Sequence, residues 1–295
     1  MSPTALALLF MCLGALLIPV GDACAKAISN VSTLEPITIA FVRFLIGAAI
    51  FVPLAVARRQ IPRLSRRFVT AQILRGACVA GGITGMVTAV SYAPLADVFG
   101  AFFIAPAIAT ALAMVFLKER VTRGDVLSLA LGLCGVLLVT RPDAEMNIGL
   151  LWALFAGSCY GAFNAATRWS AGFAPPLAQM AGQLIVGALL TAPLGAAGLS
   201  AVGEAPWLLV GSGLASAAAN FFLVMAYARE RAAVLSPLIY LQLPSAALIG
   251  FAAFGEMPDT LAAAGLALIV FAGLGVRLIW GPGGAPPSAG PPPAP

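Results

Sequence analysis

Two charged residues, Asp22 and Lys26, stand four positions apart inside the first long apolar run of the sequence. Residues at this spacing share one face of a helix, so the carboxylate and the ammonium can pair. Charges at membrane depth are costly unless they are paired or face water. Two interpretations stay open: a gate or proton-linked pair near the outer end of a cavity, or a salt bridge that fixes helix packing.

A third charge, Arg43, follows in the second apolar run, seven residues after Pro36. A guanidinium can bind a substrate carboxylate through two parallel hydrogen bonds. It can equally hold loop carbonyl groups or the carboxylate of Asp22. The structural role is the favoured one at this stage.

Uncharged polar and aromatic residues in the middle of the apolar runs are better candidates for binding a solute. They can hydrogen-bond a zwitterion or an amide without placing a charge in the membrane. Their alternative role is to bond neighbouring helices together, which contributes about 0.6–2 kcal/mol per residue. The predicted substrate-cavity residues are Thr84, Thr88, Phe103, Tyr160, Asn164, Gln183, Asn220, Tyr240 and Gln242.

Two prolines, Pro106 and Pro244, fall in the middle of apolar runs. A proline inside a helix removes one backbone hydrogen bond and kinks the helix. We therefore predict a kink at each position, with a carbonyl group freed toward a cavity.

Several kinds of chemistry are disfavoured by composition. The chain has no histidine, and its five cysteines occur singly, so no metal site or cofactor is expected. The glycine-rich stretch around Gly81 lacks the Lys-Ser/Thr pair of a nucleotide-binding loop. No enzyme activity and no ATP-binding subunit are predicted. The chain is expected to act as a monomer.

The elements that must position these residues are membrane-spanning helices. Of 295 residues, 61% are hydrophobic and 9% charged, and the mean hydropathy is +1.01. Such a chain cannot cover itself with polar surface, so lipid must solvate it, and each span needs about 20 apolar residues. The predicted fold is an all-α integral membrane protein of ten transmembrane helices. Its apolar runs are 4–27, 35–57, 68–92, 97–117, 124–140, 147–169, 175–198, 206–228, 233–254 and 260–280.

The two halves of the sequence align with each other. Residues 1–142 and 143–280 are predicted to be five-helix repeats, and 281–295 to be a disordered Pro-rich tail. Because five is odd, the second repeat must cross the membrane in the inverted direction, as in many secondary transporters. The aligned pairs are Asp22 with Asn164, Lys26 with Arg168, Pro36 with Pro176, Arg43 with Gln183, Gly47 with Gly187, Pro53 with Pro193 and Pro106 with Pro244, while Glu119 and Glu256 align one residue out of step.

Basic residues predict the orientation. With both termini in the cytoplasm, nearly all lysines and arginines fall at cytoplasmic helix ends. The net charge of +5 therefore reflects topology, and nucleic-acid binding is not expected. The predicted location is the inner (plasma) membrane, with the lipid bilayer and a small-molecule substrate as the only partners.

These motifs resemble the drug/metabolite transporter superfamily, in the branch built from two EamA-type repeats. The resemblance covers about residues 1–280 and rests on the Asp22–Lys26 element, Pro36, Arg43 and a Pro–Glu–Gly pattern in 106–135 and 244–273. It implies a central cavity lined by the third, fourth, eighth and ninth helices, as in bacterial exporters of amino acids, aromatic or hydrophobic ones included, and of related metabolites. Open alternatives are an uptake carrier for a vitamin or nucleoside, and a small-solute channel.

Overall fold

The computed structural model describes residues 3–60, 62, 64–118, 123–140, 147–170, 172–227, 229 and 236–280. Within these ranges all regular secondary structure is helical. The α-helices are α1 (Pro3–Val31), α2 (Pro36–Ala57), α3 (Arg66–Tyr92), α4 (Leu95–Phe102), α5 (Ala105–Leu117), α6 (Arg123–Thr140), α7 (Ile148–Trp169), α8 (Pro176–Gly195), α9 (Pro206–Tyr227), α10 (Gln242–Phe254) and α11 (Thr260–Trp280), with 3-10 helices at Ala196–Glu204 and Ser236–Leu241.

Local sequence explains where several helices begin. Pro36, Pro176 and Pro206 are the first residues of α2, α8 and α9, where a proline has no intrahelical hydrogen bond to lose. Ser65 accepts a hydrogen bond from the Phe68 amide at 3.2 Å and Asn147 accepts one from the Gly149 amide at 2.7 Å, so both cap helix N-termini. These boundaries coincide with the polar breaks between the apolar runs.

Seven helical segments are long and apolar enough to cross a membrane, among the described residues. They are Thr4–Val31, Pro36–Ala57, Arg66–Tyr92, Leu95–Phe116, Ile148–Trp169, Pro176–Glu204 and Pro206–Leu223. Three shorter apolar helices, Val126–Thr140, Leu238–Phe254 and Thr260–Gly273, occupy the other three predicted runs. The all-α membrane class predicted from composition is confirmed.

The outer surface of the bundle is apolar. Side chains such as Phe116, Leu189 and Leu248 are 75%, 66% and 68% exposed. A soluble monomer does not display so many large apolar side chains to water. Hydrocarbon is the solvent that this surface requires.

Four close helix pairs build the interior: α1 with α9, α2 with α8, α3 with α7 and α6 with α11. Each pair joins one helix before residue 141 to one after residue 147. Small residues permit the approach: an added Cβ at Gly135 would lie 2.8 Å from the Gly265 carbonyl oxygen, and one at Gly265 equally close to that of Gly135. Such contacts provide the packing that joins helices in lipid.

Two of the apolar runs are broken helices. The first is interrupted at Phe103 and Ile104, between α4 and α5, and the second changes from a 3-10 helix to α10 at Gln242. Pro106 and Pro244, the two predicted kink positions, both lie in the first turn of the α-helix that follows the break. A first-turn proline costs no hydrogen bond, so here it starts a helix.

The two ends of the bundle are marked by hydrogen bonds between loops. At one end the Asn147 side chain donates to the Tyr92 carbonyl at 3.1 Å; we call this the Glu256 end, after the residue that follows α10. At the other end the Leu177 amide donates to the Gln60 side chain at 3.3 Å; we call this the Gln60 end.

Charge separates between these ends, as the sequence predicted. The exposed basic residues lie at helix termini of the Gln60 end, and the acidic ones at those of the Glu256 end. The first group includes Arg58, Arg59, Arg66, Arg67, Lys118, Arg168 and Arg229, and the second Glu35, Glu204, Glu256 and Asp259. The Pro-rich segment 281–295 and the boundary between residues 142 and 143 lie outside the described residues.

Candidate functional site: two buried polar networks and an aromatic row

At the Glu256 end, an ion pair connects distant parts of the chain. The Lys26 ammonium lies 2.5 Å from the Glu256 carboxylate and donates to the Ala93 carbonyl at 2.7 Å. The second Glu256 oxygen accepts the Leu95 amide at 3.0 Å, which caps α4. The ammonium also lies 5.5 Å from the centre of the Phe254 ring. The expected Lys26–Asp22 pair is therefore replaced by a bridge that ties α1 to the loop between α10 and α11.

The local backbone places Glu256 for this contact. Gly255 has a φ of +69° and ends α10 in the left-handed conformation, which glycine adopts without a steric penalty. The Glu256 amide then donates to the Gly250 carbonyl at 3.1 Å, so the chain turns back and the carboxylate faces α1. Sequence reasoning placed Glu256 only in an outward loop and missed this role.

A cavity of about 480 Å³ adjoins the ion pair. It lies at the junction of α1, α3 and the end of α10. Its walls combine both charged groups with hydroxyl, amide and aromatic side chains. The lining residues are Lys26, Asn30, Ser91, Tyr92, Ala93, Pro94, Phe254 and Glu256.

Asp22 belongs to a second, fully buried network with Arg43. Arg43 donates to the Asp22 carboxylate at 2.7 Å, to the Ser212 hydroxyl at 2.7 Å and to the Gly21 carbonyl. The Ser212 hydroxyl donates to the same carbonyl at 2.8 Å. All three side chains are less than a tenth exposed. The guanidinium is thus neutralised within the protein and connects α1, α2 and α9, which is the structural role favoured from sequence.

A third network surrounds Arg75, which sequence reasoning had counted only among the cytoplasmic charges. Arg75 donates to the Thr167 hydroxyl at 3.0 Å and to the side-chain oxygens of Gln179 at 2.9 Å and Gln183 at 2.6 Å. The Phe163 ring lies 5.4 Å from the guanidinium carbon. Arg75 is 4% exposed, and no described carboxylate lies within ion-pair distance of it. The signal available in the sequence was its position nine residues inside an apolar helix.

Gln183 therefore lies in the Arg75 network, on the buried contact between α3 and α8. Gln179, not singled out from sequence, is held by its own donations to Ala174 at 3.0 Å and Ser170 at 3.3 Å. Asn164, also predicted to face the cavity, is exposed on α7. The structure thus separates two residues that sequence reasoning grouped together.

Aromatic side chains form two contacts near the helix breaks. Phe103 lies against Tyr240, with ring centres 5.1 Å apart, so the two broken segments meet there. Phe102 contacts Tyr160 at 5.3 Å, and Tyr160 contacts Phe163 at 5.6 Å. Because Phe163 also covers Arg75, a continuous aromatic row, Phe102–Tyr160–Phe163, leads from the break after α4 to the buried guanidinium.

The row can approach the break because α7 presents glycines there. A Cβ at Gly161 would lie 2.6 Å from the Ala105 carbonyl oxygen, and one at Gly157 would collide with that of Phe102. The two glycines are one helical turn apart and share a face. Because neither has a side chain, the backbone of α7 can pack directly against the break between α4 and α5.

The remaining predicted cavity residues do not converge on one point. The Thr88 hydroxyl donates to the Thr84 carbonyl and the Asn220 amide to the Ser216 carbonyl, each at 2.8 Å and within its own helix. Gln242 is 3% exposed at the start of α10, and no hydrogen bond from the described residues reaches its amide. No group of three described residues could hold a metal ion.

Comparison with known proteins shows which family and which named transporters this chain resembles. Residues 5–141 match the EamA-like transporter family, which confirms the predicted resemblance for that part of the chain. The chain is 27% identical over 246 residues to a riboflavin transporter of Brucella anthropi, covering 81% of this chain and 86% of that one. It is 24% identical over 240 residues to an S-adenosylmethionine uptake transporter of Rickettsia felis, covering 80% and 81%.

A solved crystal structure shares the fold. Its TM-score is 0.65 at 18% identity, and the match covers 92% of this chain and 96% of that one. At this identity the similarity concerns the path of the chain and does not extend to the side chains of a site.

Proposed function

We propose that this chain, whose residues 5–141 belong to the EamA-like transporter family, is a secondary transporter that moves a small organic solute across the membrane by alternating access. The observation that carries the proposal is the pairing of helices between the two halves of the chain. Two units that touch along matched helices can rock against each other and open a central path to either side.

We further propose ten spans arranged as two inverted repeats. Three features support this arrangement. First, the helix pairs obey the symmetry of the proposed repeat. If each helix is replaced by its counterpart in the other half, the α1–α9 pair becomes the α7–α3 pair, and the α2–α8 and α6–α11 pairs are unchanged. The fourth span of each half is broken just before a proline. The helices that follow both breaks end in left-handed residues, Lys118 and Gly255, each followed by a glutamate in the sequence.

The orientation follows from the charged ends. The Gln60 end, which carries most exposed basic residues, is proposed to face the cytoplasm of a bacterial inner membrane, with both termini on that side. Single cysteines at Gln60 and at Ala201 of a cysteine-free variant test this. They are expected to react with impermeant reagents from opposite faces of the membrane. Reaction from the same face would overturn the inverted arrangement.

The substrate class proposed is a ring-bearing metabolite such as a vitamin or a nucleoside derivative. Two relatives are named for uptake of riboflavin and of S-adenosylmethionine, and both solutes carry heteroaromatic rings with several hydrogen-bonding groups. The contacts of Phe103 with Tyr240 and of Phe102 with Tyr160 offer aromatic surface of matching character. Export of amino acids, expected from the sequence, is kept as the second candidate, since aromatic amino acids suit the same surface.

Counterflow in liposomes tests this proposal. Purified protein is reconstituted without ATP, loaded with one solute, and assayed for accumulation of labelled riboflavin, S-adenosylmethionine, tryptophan and leucine, with protein-free liposomes as control. Saturable exchange of a ring-bearing solute is expected. Absence of exchange for the whole panel would contradict the proposed substrates, and ion currents far above carrier rates would indicate a channel.

A further inference from the structure

We infer that Arg75 is the site that receives the anionic group of the transported solute, a ring-bearing organic anion or zwitterion whose ring lies along Tyr160 and Phe163. The inference rests on the proposed transport function and deepens it by naming the group that is recognised and the residues that recognise it.

The first argument is the missing counter-charge. Arg75 and Arg43 are almost equally buried, at 4% and 5% exposed. Arg43 has the Asp22 carboxylate at 2.7 Å, whereas no described carboxylate pairs with Arg75. A charge in the membrane interior is stabilised by an opposite charge or by water. An incoming carboxylate or phosphate supplies what Arg75 lacks.

The second argument is the nature of the present partners. The oxygens of Thr167, Gln179 and Gln183 are neutral acceptors at 2.6–3.0 Å from the guanidinium nitrogens. A carboxylate adds charge–charge attraction and can accept two parallel hydrogen bonds from one guanidinium, which a single neutral amide oxygen cannot do. A solute carboxylate can therefore displace an amide oxygen, while the amides keep the empty guanidinium hydrogen-bonded.

The third argument is an unused donor beside the guanidinium. Gln72 is 4% exposed, and its side-chain oxygen accepts from Arg75 at 3.4 Å. Its buried side-chain nitrogen has no hydrogen-bond partner among the residues that the structure describes. A buried donor without a partner destabilises the protein, and a bound anion would accept a hydrogen bond from it.

The fourth argument is access for a ring. The aromatic row from Phe102 through Tyr160 to Phe163 joins the break after α4 to Arg75 with ring-centre spacings of 5.3 and 5.6 Å. A flat solute following these rings would bring a terminal acid group to the guanidinium. The positive charge of Arg75 would disfavour a solute of the same shape that carries only a positive charge.

Gln183→Glu is the decisive variant, because it supplies the missing carboxylate where an oxygen already lies 2.6 Å from Arg75. It makes the Arg75 network internally neutral, like the Arg43 network, and favours folding. Gln60→Glu is the matched control: it makes the same substitution at the same end, where Gln60 contacts the Leu177 amide. Arg75→Gln serves as a second variant that removes the charge.

Binding is measured by thermal shift and by counterflow in the full-length protein, with probe pairs that share a ring and differ in charge: tryptophan against tryptamine, and riboflavin 5′-phosphate against riboflavin. Wild type is expected to prefer the acid-bearing member of at least one pair. Gln183→Glu is expected to lower the affinity for that acid-bearing member about tenfold to a hundredfold. Its unfolding temperature is expected to be equal to or above that of wild type. Gln60→Glu is expected to retain the preference.

The outcomes separate the inference from the proposed function. An unchanged preference in folded Gln183→Glu, or no preference in a wild type that does transport, overturns the Arg75 site and leaves the transporter proposal standing. No transport of any solute, with a thermal shift that still depends on the acid group and on Gln183, overturns the transport proposal while supporting an anion site. No transport and no shift overturns both.

Discussion

Arg43 and Arg75 show how differently one protein can bury the same side chain. Arg43 is enclosed with a carboxylate, a hydroxyl and a carbonyl, so its charge is cancelled inside the bundle. Arg75 is enclosed with neutral amide and hydroxyl oxygens, and its charge remains. Gln183 occupies the position of the second half that aligns with Arg43, so the second half has a neutral amide where the first has a guanidinium, and this amide accepts a hydrogen bond from Arg75 of the first half. The first network is suited to holding helices together, and the second retains attraction for a charge from outside.

The largest effect is expected from Asp22→Asn, which leaves Arg43 charged and unpaired. Removing one partner of a buried ion pair costs about 3–5 kcal/mol, so the free energy of unfolding in detergent should fall by that order. The double variant Asp22→Asn/Arg43→Gln, which copies Asn164 and Gln183 of the other half, should recover most of the loss. If the double variant is as unstable as the single one, then Asp22 does not act mainly by neutralising Arg43, and the contrast drawn with Arg75 is wrong.

Gly157→Ala tests a second difference between the halves. Its aligned counterpart on α1 is Ala15, which is fully buried, whereas a methyl group at position 157 would meet the Phe102 carbonyl. Overpacking of this kind costs about 1–3 kcal/mol. Chemical unfolding should show that loss for Gly157→Ala. The control Gly203→Ala, where no atom lies within 4 Å of the added Cβ, should stay within about 0.5 kcal/mol of wild type.

Glu256→Gln should have a smaller effect, because the ion pair with Lys26 is partly open to solvent, with the Glu256 side chain 22% exposed. Exposed pairs contribute about 0–1 kcal/mol; because the Lys26 side chain is only 9% exposed, we expect a loss near the upper end of that range, about 1 kcal/mol. The capping contact to Leu95 keeps an acceptor in the amide. A double-mutant cycle with Lys26→Gln isolates the pair. Strict additivity of the two losses would mean that the bridge between α1 and the loop after α10 adds no stability of its own.

The smallest effect on stability is expected for Gln242→Ala and Asn220→Ala. The Asn220 amide bonds only within α9, and that of Gln242 has no partner among the described residues. Asn220→Ala should unfold within about 0.5 kcal/mol of wild type, and Gln242→Ala, whose side chain is 3% exposed, should lose slightly more, about 0.5–1 kcal/mol. Both variants should be produced at normal levels. If these side chains touch the solute, counterflow will be reduced, and full activity in both would remove them from the proposed path.

The positions of the helices along the chain were predictable because residues close together in the sequence determine them. Apolar runs of spanning length, ended by proline, glycine or charge, fix where α2, α8 and α9 begin, and the family resemblance followed from the same markers. The effect of Pro106 and Pro244 was not predictable from their position, since a proline in an apolar run can kink a helix or start one. Only the chain on its N-terminal side decides between the two.

The candidate site was predicted less well, since its contacts join residues far apart in the sequence. Lys26 was expected to pair four residues away with Asp22, and its partner is Glu256, 230 residues distant. Gln183 was singled out as polar and mid-span, but its contact with Arg75 depends on the packing of α3 against α8. The buried position of Arg75 was missed because many other basic residues lie at the same end of the bundle, so Arg75 was counted as one of these topological charges.

The four close helix pairs have a consequence for how the molecule holds together. Because every one of them crosses between the two halves, the chain resembles an obligate heterodimer whose subunits happen to be tethered. Cut between residues 142 and 143, each fragment would lose the neighbour that covers its small-residue faces and buried polar groups. The fragments should be degraded when made alone and recover as a stable pair when made together.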